Sequence, residues 1–207
     1  GSFLPKNISH YYILAEKREK FIVLRKVLAA QKPKKAIIFL NNPENIAVTV
    51  DKLCHHGWKA DGIHGRDDKR ERQNTMEGFR QGRTSVLVAS DIGARGLDIE
   101  DVTHIINLDL PEEAEKYLHR AGRTGRKGMA GTVISIVTPY ERKWIHKYEK
   151  KYSIAIVERE MAFGKLEESN GTKKQLYTKG KNKKIFKKEK RSSQKQKNGK
   201  KQQFLKK

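Results

Sequence analysis

Ala36-Ile37-Ile38-Phe39-Leu40 is an uninterrupted apolar run in a chain in which 34% of the residues are charged. A second run of this kind, Val86-Leu87-Val88-Ala89, follows further along the chain. Short continuous apolar runs are typical of strands buried on both faces, as in a parallel sheet that lies between two layers of helices. The two runs therefore predict an α/β fold with an open parallel sheet and helices on both faces.

The segments around these runs alternate between strand and helix patterns, as α/β folds require. Further strands are predicted at 11–14, 61–64, 104–108 and 132–138, with an edge strand at 154–157. Helices are predicted at 17–30, from Asn42 to near Gly57, from Asp67 or Asp68 to Phe79, at 112–121, and from Pro139 past Tyr148. Right-handed crossovers place the strands in one sheet, and ligands of such sheets bind at the carboxyl ends of the strands. We expect Ser90, Asp109 and the loops after Leu40 and His64 at this edge.

The charge of the chain is strongly positive and unevenly distributed. The formal net charge is +22 over 207 residues, and residues 173–207 hold sixteen Lys and Arg against the single acid Glu189. A segment of this composition does not bury enough apolar surface to fold alone, which predicts a disordered basic tail. Its lysines favour a polyanion as partner, and nucleic acid fits better than a membrane, because no apolar face runs between the lysines.

Other features bound the class of protein. No apolar run approaches the length that spans a bilayer, and no signal peptide is visible. The single Cys54 excludes an internal disulfide and is consistent with the cytoplasm. Because Cys54 lies in a predicted helix, we expect a small buried side chain with no catalytic role. Trp58 and Trp144 are interpreted as packing residues.

The sequence Tyr117-Leu118-His119-Arg120-Ala121-Gly122-Arg123-Thr124-Gly125-Arg126 carries the chemistry. Its three arginines recur at three-residue spacing, at the end of a predicted helix and in a loop interrupted by glycines. Guanidinium groups bind phosphate oxygens bidentately, and glycines allow a ligand to approach the backbone. The segment therefore predicts part of a phosphate-binding site.

This segment resembles the last conserved motif of the DEAD-box ATP-dependent RNA helicases. The stretch from Ser90 to Ile99, SDIGARGLDI, resembles the preceding motif of that family, and the similarity continues upstream through His64-Gly65, Arg72 and 36–40. It covers residues 8 to about 160. The resemblance implies a RecA-like fold, with an interdomain linker followed by a helicase C-terminal domain at 9–160. Gly1-Ser2 is interpreted as a cloning scar, so the scar and the linker together are expected at 1–8, and the basic composition predicts an RNA-binding tail at 161–207.

The resemblance also implies the residues of an ATP site. Arg126 matches the family's arginine finger and Arg123 its partner, whereas His119 matches a residue that relays RNA binding to hydrolysis. Asp98 stands where the family binds the ribose of ATP, and a carboxylate accepts hydrogen bonds from ribose hydroxyls. Arg120 is interpreted as a structural or interdomain ion-pair residue. For Arg95, a role at the closed interface and a local salt bridge both remain open.

The residues that the resemblance implies for RNA binding are Gly65, Arg66, Arg72, Ser90 and Gly93. Ser90 replaces the threonine that is usual in the family and keeps the hydroxyl, while Lys69 stands where the family has a glutamine. Contacts of this kind reach phosphate and sugar and do not distinguish bases. We therefore expect binding to the sugar-phosphate backbone of RNA.

The chain lacks two motifs that the family uses for hydrolysis. It contains neither G-x-x-x-x-G-K-[ST] nor an Asp-Glu-Ala-Asp tetrad. In the family both lie in an N-terminal RecA-like domain, which also holds Mg²⁺, so we predict no metal site in this chain and no ATP hydrolysis by it alone. Two alternatives remain: a non-catalytic RNA-binding or remodelling module, and the second domain of a DNA helicase.

Overall fold

The computed structural model of the chain describes residues 4–169. Its strands are β1 Ile8–Leu14, β2 Ala36–Phe39, β3 Ala60–Ile63, β4 Val86–Ala89, β5 His104–Asn107, β6 Gly131–Val137, β7 Ile156–Ala162 and β8 Lys165–Glu168. Its α-helices are α1 Lys20–Gln31, α2 Ile46–His55, α3 Lys69–Arg80, α4 Ala114–Ala121 and α5 Arg142–Tyr152.

The strands form one sheet in the order β3-β4-β2-β5-β6-β1-β7-β8. All pairings from β3 across to β7 are parallel, which confirms the predicted parallel sheet. β8 was not predicted from the sequence. Phe163 and Gly164, both with positive φ, join it to β7, and a two-residue turn of this kind joins antiparallel strands.

The helices cover both faces of the sheet, as predicted. Successive residues of a strand point to opposite faces, so Ile37 and Phe39 pack in one cluster while Ile38 and Leu40 pack in the other. The first cluster contains side chains of α3, α4 and α5, and the second contains side chains of α1 and α2. This three-layer arrangement confirms the RecA-like layout.

Local sequence signals set the ends of two helices. The Asn42 side chain accepts a hydrogen bond from the Glu44 amide at 3.0 Å, in a short 3₁₀ turn that leads into α2. Of the two aspartates considered for α3, Asp68 is the cap, and it forms a reciprocal capping box with Glu71. The predicted stop near Gly57 is also present, since Gly57 has φ +85° just after α2.

Several expectations about the boundaries and the cysteine were wrong. The expected domain end at 160 falls inside β7, because ordered strand continues to Glu168 and β8 replaces β7 at the edge of the sheet. β1 begins at Ile8, inside the expected linker. Cys54 is exposed, because the buried positions of α2 are Ile46, Thr49 and Leu53 and the next residue along points away from that face.

Both tryptophans lie in the described part of the chain, and the tail does not. Trp58 and Trp144 are partly buried against the two core clusters, as expected of packing residues. The predicted basic tail, residues 170–207, lies outside the described residues. Between residues 4 and 169, no helix is long and apolar enough to cross a membrane.

Candidate functional site

A buried arginine joins the carboxyl ends of three neighbouring strands. Arg120 is 1% exposed. Its five N–H groups donate to the carboxylate of Asp91 twice, to the side-chain oxygens of Asn41 and Asn107, and to the carbonyl oxygen of Asp109, at 2.7–3.2 Å. Since Asn41, Asp91 and Asn107 lie at the ends of β2, β4 and β5, this network fixes the edge of the sheet. It confirms the structural interpretation of Arg120.

Asn41, Asp91 and Asn107 were missed as site residues by sequence reasoning. Each stands at the end of an apolar strand run, and that position was the signal that could have identified them. Asn107 is fully buried, and its amide also donates to Ser135 at 3.0 Å. A buried amide needs such partners, so the three polar side chains depend on Arg120 as much as it depends on them.

The expected phosphate-binding arginines lie in the loop that follows α4. Arg126 donates to the Asp98 carboxylate at 2.8 Å, with side chains that are 38% and 85% exposed. Arg123 donates to the carbonyl oxygen of Leu97 at 2.7 Å. Burial and the neighbouring Arg126 lower the pKa of Arg123, and Asp98 partly offsets this. The structure thus brings Asp98, Arg123 and Arg126 together.

This arginine loop, residues 122–130, does not lie at the carboxyl edge where we expected the ligand-binding residues. It connects the end of α4 to the first residue of β6, and Asn7, just before β1, donates to the carbonyl oxygen of Gly125 at 3.1 Å. The loop therefore lies toward the amino ends of β1 and β6. The physical reason is that α4 runs back across the sheet from its carboxyl edge.

His119 lies on the exposed side of α4, one turn before Arg123. With Asp91, Ala94, Arg95 and Arg123 it lines a cavity of about 250 Å³. The His119 side chain forms no hydrogen bond within residues 4–169. Arg95 is exposed, and it has no salt bridge in this part of the chain, which removes the local salt bridge considered for it.

The residues expected to bind RNA gather at the carboxyl ends of the adjacent strands β3 and β4. Gly65 and Arg66 are exposed in the turn after β3. Ser90 follows β4, is 3% exposed, and its hydroxyl accepts a hydrogen bond from the Gly93 amide at 3.3 Å. A Cβ atom on Gly93 would lie 3.0 Å from the Ile63 carbonyl oxygen, so glycine permits the close approach of these two loops.

Arg72 connects this group to the loop that carries Asp98. Its guanidinium donates to the carbonyl oxygens of Gly93 and Arg95, both at 2.7 Å. Arg72 therefore holds the backbone between Ser90 and Asp98 in place. Ser90 and Gly93, which were expected to bind RNA, therefore lie on the same segment as Asp98, which was expected to bind ATP.

Residues 19–128 match the family described as Helicase conserved C-terminal domain. This match covers more than half of the chain and includes the arginine loop, Asp98 and the loops after β3 and β4. The chain belongs to this family of helicase C-terminal domains. Within residues 4–169, no three His, Cys, Asp or Glu side chains are grouped so as to hold a metal ion.

The domain is similar to DEAD-box RNA helicases of bacteria along most of its length. It is 41% identical over 162 residues to the DEAD-box ATP-dependent RNA helicase CshC of Bacillus cereus, which covers 78% of this chain and 41% of that protein. It is 38% identical over 144 residues to CshA of Bacillus subtilis, 70% of this chain and 29% of that protein. The chain thus spans about two fifths or less of these relatives.

Solved DEAD-box structures have the same fold. The E. coli DEAD-box protein SrmB, bound to regulator of ribonuclease activity A, matches with a TM-score of 0.70 at 31% identity, over 75% of this chain and 92% of that chain. Dbp5 of S. cerevisiae, bound to RNA and ADP BeF3, matches with a TM-score of 0.71 at 29% identity, over 76% of this chain and 42% of that one.

Proposed function

We propose that this domain is the C-terminal half of an ATP-dependent RNA helicase. The observation that carries the proposal is the arginine loop: Arg123 and Arg126 reach the surface beside Asp98, in a chain that has no phosphate-cradling loop of its own. These two arginines would form half of a phosphate site on an exposed face. A second domain that carries the phosphate-cradling loop would complete that site.

The exposed side chains of this face fit a nucleotide. The guanidinium of Arg126 would contact the phosphoryl group during its transfer, where an arginine finger raises the rate by about 10³–10⁵. Arg123 would add a second cation. The Asp98 carboxylate would accept hydrogen bonds from the ribose hydroxyls. Because Asp98 and Arg126 form an ion pair with each other, that ion pair must open before both can bind the nucleotide.

The carboxyl edge of β3 and β4 fits an RNA backbone. Arg66 is exposed and has no ion pair among residues 4–169, and the amide of the exposed Gly65 is open to a phosphate without a side chain in the way. Gly93 is buried and its amide donates to the Ser90 hydroxyl, so the loop must shift before these two groups can contact a phosphate. Arg72 holds the loop from which Gly93 and Asp98 both project. A shift of that loop when RNA binds would therefore also move the carboxylate beside Arg126.

In the parent protein, the N-terminal RecA-like domain would close on this surface. ATP supplies the γ-phosphoryl group that passes to water, and Mg²⁺ would be held by that N-terminal domain. Closure would bring Arg123 and Arg126 to the nucleotide, and the RNA edge would clamp one strand and separate a short duplex, a hinge movement driven by contacts shared between the domains. His119 would face the opposite domain and couple the two events.

The deciding measurement is ATP hydrolysis by the intact parent, with and without single-stranded RNA. We expect RNA-stimulated hydrolysis that falls about 10³-fold or more in Arg126→Ala. The neighbouring Lys127, an exposed cation paired with Glu100, provides the control: Lys127→Ala should retain the stimulated rate. The chain of 207 residues alone should not hydrolyse ATP.

Other outcomes would lead to different conclusions. A well-folded parent that binds RNA but never hydrolyses ATP would establish the RNA-binding module instead. Stimulation by DNA duplexes in place of RNA would indicate a DNA helicase. RNA-stimulated hydrolysis that survives Arg126→Ala would retain the enzyme and remove Arg126 from its active site.

The basic tail is proposed to hold RNA near the domain and raise its local concentration. Removal of residues 170–207 leaves β7 and β8 intact and should lower RNA affinity and flatten its dependence on salt. Replacing the sixteen Lys and Arg of 173–207 by Gln should have the same effect, because charge and not length carries the interaction. Unchanged affinity and salt dependence would remove the tail from RNA binding. We also propose that the parent is cytoplasmic, because the single Cys54 is consistent with a reducing environment.

A further inference from the structure

Asn7 lies in the segment just before β1 and contacts both ends of the turn that carries Arg126. The side-chain amide of Asn7 donates to the carbonyl oxygen of Gly125 at 3.1 Å and also to that of Met129. Its main-chain oxygen accepts from the Gly131 amide at 3.1 Å. Arg126 therefore lies between two carbonyl groups that are held by one amide.

The turn between these contacts has a backbone that needs outside support. Gly125, Lys127 and Gly128 have φ values of +67°, +54° and +75°. The left-handed region is unfavourable for Lys127, a residue with a Cβ atom. The only backbone hydrogen bond inside the turn runs from the Met129 amide to the Arg126 carbonyl oxygen, at 3.1 Å, as far as the described residues show.

Packing at the same place adds to the contact. A Cβ atom on Gly125 would lie 2.6 Å from Cγ1 of Ile8, so the loop backbone rests directly on the residue after Asn7. Thr124, the residue before Gly125, donates through its hydroxyl to the Val102 carbonyl oxygen at 2.5 Å. The start of the loop is thus held from two sides, while its end depends on Asn7 and β6.

We infer that Asn7 is a positioning residue: it clamps the Arg126 turn to the incoming chain and sets where the Arg126 guanidinium points. The catalytic part of this inference rests on the proposed function, whereas the clamp itself does not. Its consequence is that a movement of the chain before β1, which leads to the other domain in the proposed parent, is passed to Arg126 through one side chain.

The chemistry of the clamp requires an amide. Both partners of the Asn7 side chain are carbonyl oxygens, which accept hydrogen bonds only, and the NH₂ group has two N–H donors to offer. Aspartate has nearly the same shape but no donor, and its charge would repel both oxygens. Asn7→Asp therefore tests the amide without changing the volume of the side chain.

Asn42 provides a matched control. Its side chain accepts a hydrogen bond from the Glu44 amide, a role that a carboxylate fills equally well at a helix start. The substitution Asn42→Asp is chemically identical to Asn7→Asp but should leave the domain unchanged. The two variants together separate the clamp from a general effect of added negative charge.

The first experiment uses amide hydrogen exchange on the 207-residue chain. Asn7→Asp should speed exchange at Met129 and Gly131 by about tenfold or more, with the amides of β2 and β4 unchanged, as expected of a local opening. Unchanged exchange at Met129 and Gly131 would overturn the clamp. Exchange that rises throughout the domain would also overturn it, because Asn7 would then support the fold and not the turn. Asn7→Ala gives a second variant with the same expectation and no added charge.

The second experiment measures hydrolysis by the intact parent. Asn7→Asp should lower RNA-stimulated kcat by about ten- to a hundredfold, the effect of a misplaced catalytic group, with little change in KM for ATP. An unchanged kcat in a parent whose Arg126→Ala variant is inactive would overturn the positioning role alone. A parent with no hydrolysis at all would refute the proposed function, and the exchange experiment would still decide the clamp.

Discussion

Arg120 and Asp91 form a two-point ion pair, with Nε on Oδ1 and a terminal nitrogen on Oδ2, both at 2.7 Å. Arg120 is almost fully buried, whereas the Asp91 side chain is 26% exposed. A buried guanidinium is costly unless all its donors are used, and here each of the five is used. The ion pair therefore joins α4, which carries His119, to the loop that leads to Asp98.

Substituting Arg120 should show how much this network contributes. Arg120→Lys keeps the charge but has too few donors and the wrong geometry for Asn41, Asp91 and Asn107, so we expect a loss of about 3 kcal/mol in the free energy of unfolding. Urea denaturation of the 207-residue chain measures it. The exposed Arg95 is the control, and Arg95→Lys should change stability by less than about 0.5 kcal/mol. A loss below about 1 kcal/mol for Arg120→Lys would contradict the network's importance.

At two stacked tyrosines, removal of the hydroxyl group should have different effects on the free energy of unfolding. The Tyr117 and Tyr148 rings lie 5.0 Å apart and both are fully buried. The Tyr117 hydroxyl pairs with Nδ1 of His10 at 2.8 Å, whereas that of Tyr148 is buried with no partner in the described part of the chain.

Tyr117→Phe should therefore lower the free energy of unfolding by about 1 kcal/mol, and Tyr148→Phe should leave it equal or raise it. Thermal or urea denaturation of both variants side by side is the measurement, and each serves as control for the other. Equal losses in the two variants would show that the Tyr148 hydroxyl has a partner.

The stability of the domain should fall in mild acid because of His10. Burial lowers the pKa of His10 from 6.5 to about 4. Between these values the unfolded chain binds a proton that the folded domain does not, so stability falls as the pH drops through this window and is fully present above it. The contribution is on the order of 3 kcal/mol.

His10→Gln tests this expectation, because glutamine does not titrate and is able to hydrogen-bond Tyr117. The variant's free energy of unfolding should depend less on pH between about 4 and 6.5 than that of the unmodified chain. Burial also lowers the pKa of His104, so part of the dependence should remain. Identical slopes in the two proteins would place the origin of the acid sensitivity elsewhere.

The exposed ion pair of Asp98 and Arg126 should matter for nucleotide binding and not for folding. Asp98→Asn should change the free energy of unfolding by less than about 1 kcal/mol, as exposed ion pairs do. In the intact parent it should raise KM for ATP with a smaller change in kcat, the pattern of a lost binding contact. Glu100→Gln, which alters the neighbouring exposed pair with Lys127, should do neither. A lower kcat with unchanged KM in Asp98→Asn would contradict the ribose assignment.

Much of the fold could be predicted because its signals are local. The runs at 36–40 and 86–89 identify buried strands by themselves, since only a sheet covered on both sides accommodates continuous apolar strands. Asn42, Asp68 and Gly57 mark helix ends because caps act within a few residues of one another. The arginines of the loop after α4 were found in the same way, from spacing and composition within ten residues.

The features that could not be predicted from the sequence depend on residues that are far apart along the chain. Cys54 was expected to be buried because a helix pattern alone does not decide which neighbouring position faces the core. β8 was not predicted, and β7 was predicted only at its start, because a strand with alternating charges such as Ile156–Ala162 lacks the continuous apolar signal.

The sequence by itself determined an α/β domain with two buried strand runs, and it identified an arginine loop for which it predicts phosphate binding, because each of these signals lies within a short stretch of residues. Only the tertiary structure decided that Arg120 ties together Asn41, Asp91 and Asn107, that the arginine loop lies away from the carboxyl edge, and that Asn7 holds it from 118 residues away. Such contacts follow from strand order and from the direction in which α4 crosses the sheet. Strand order and helix direction arise from packing the whole chain, and no single segment of it specifies them.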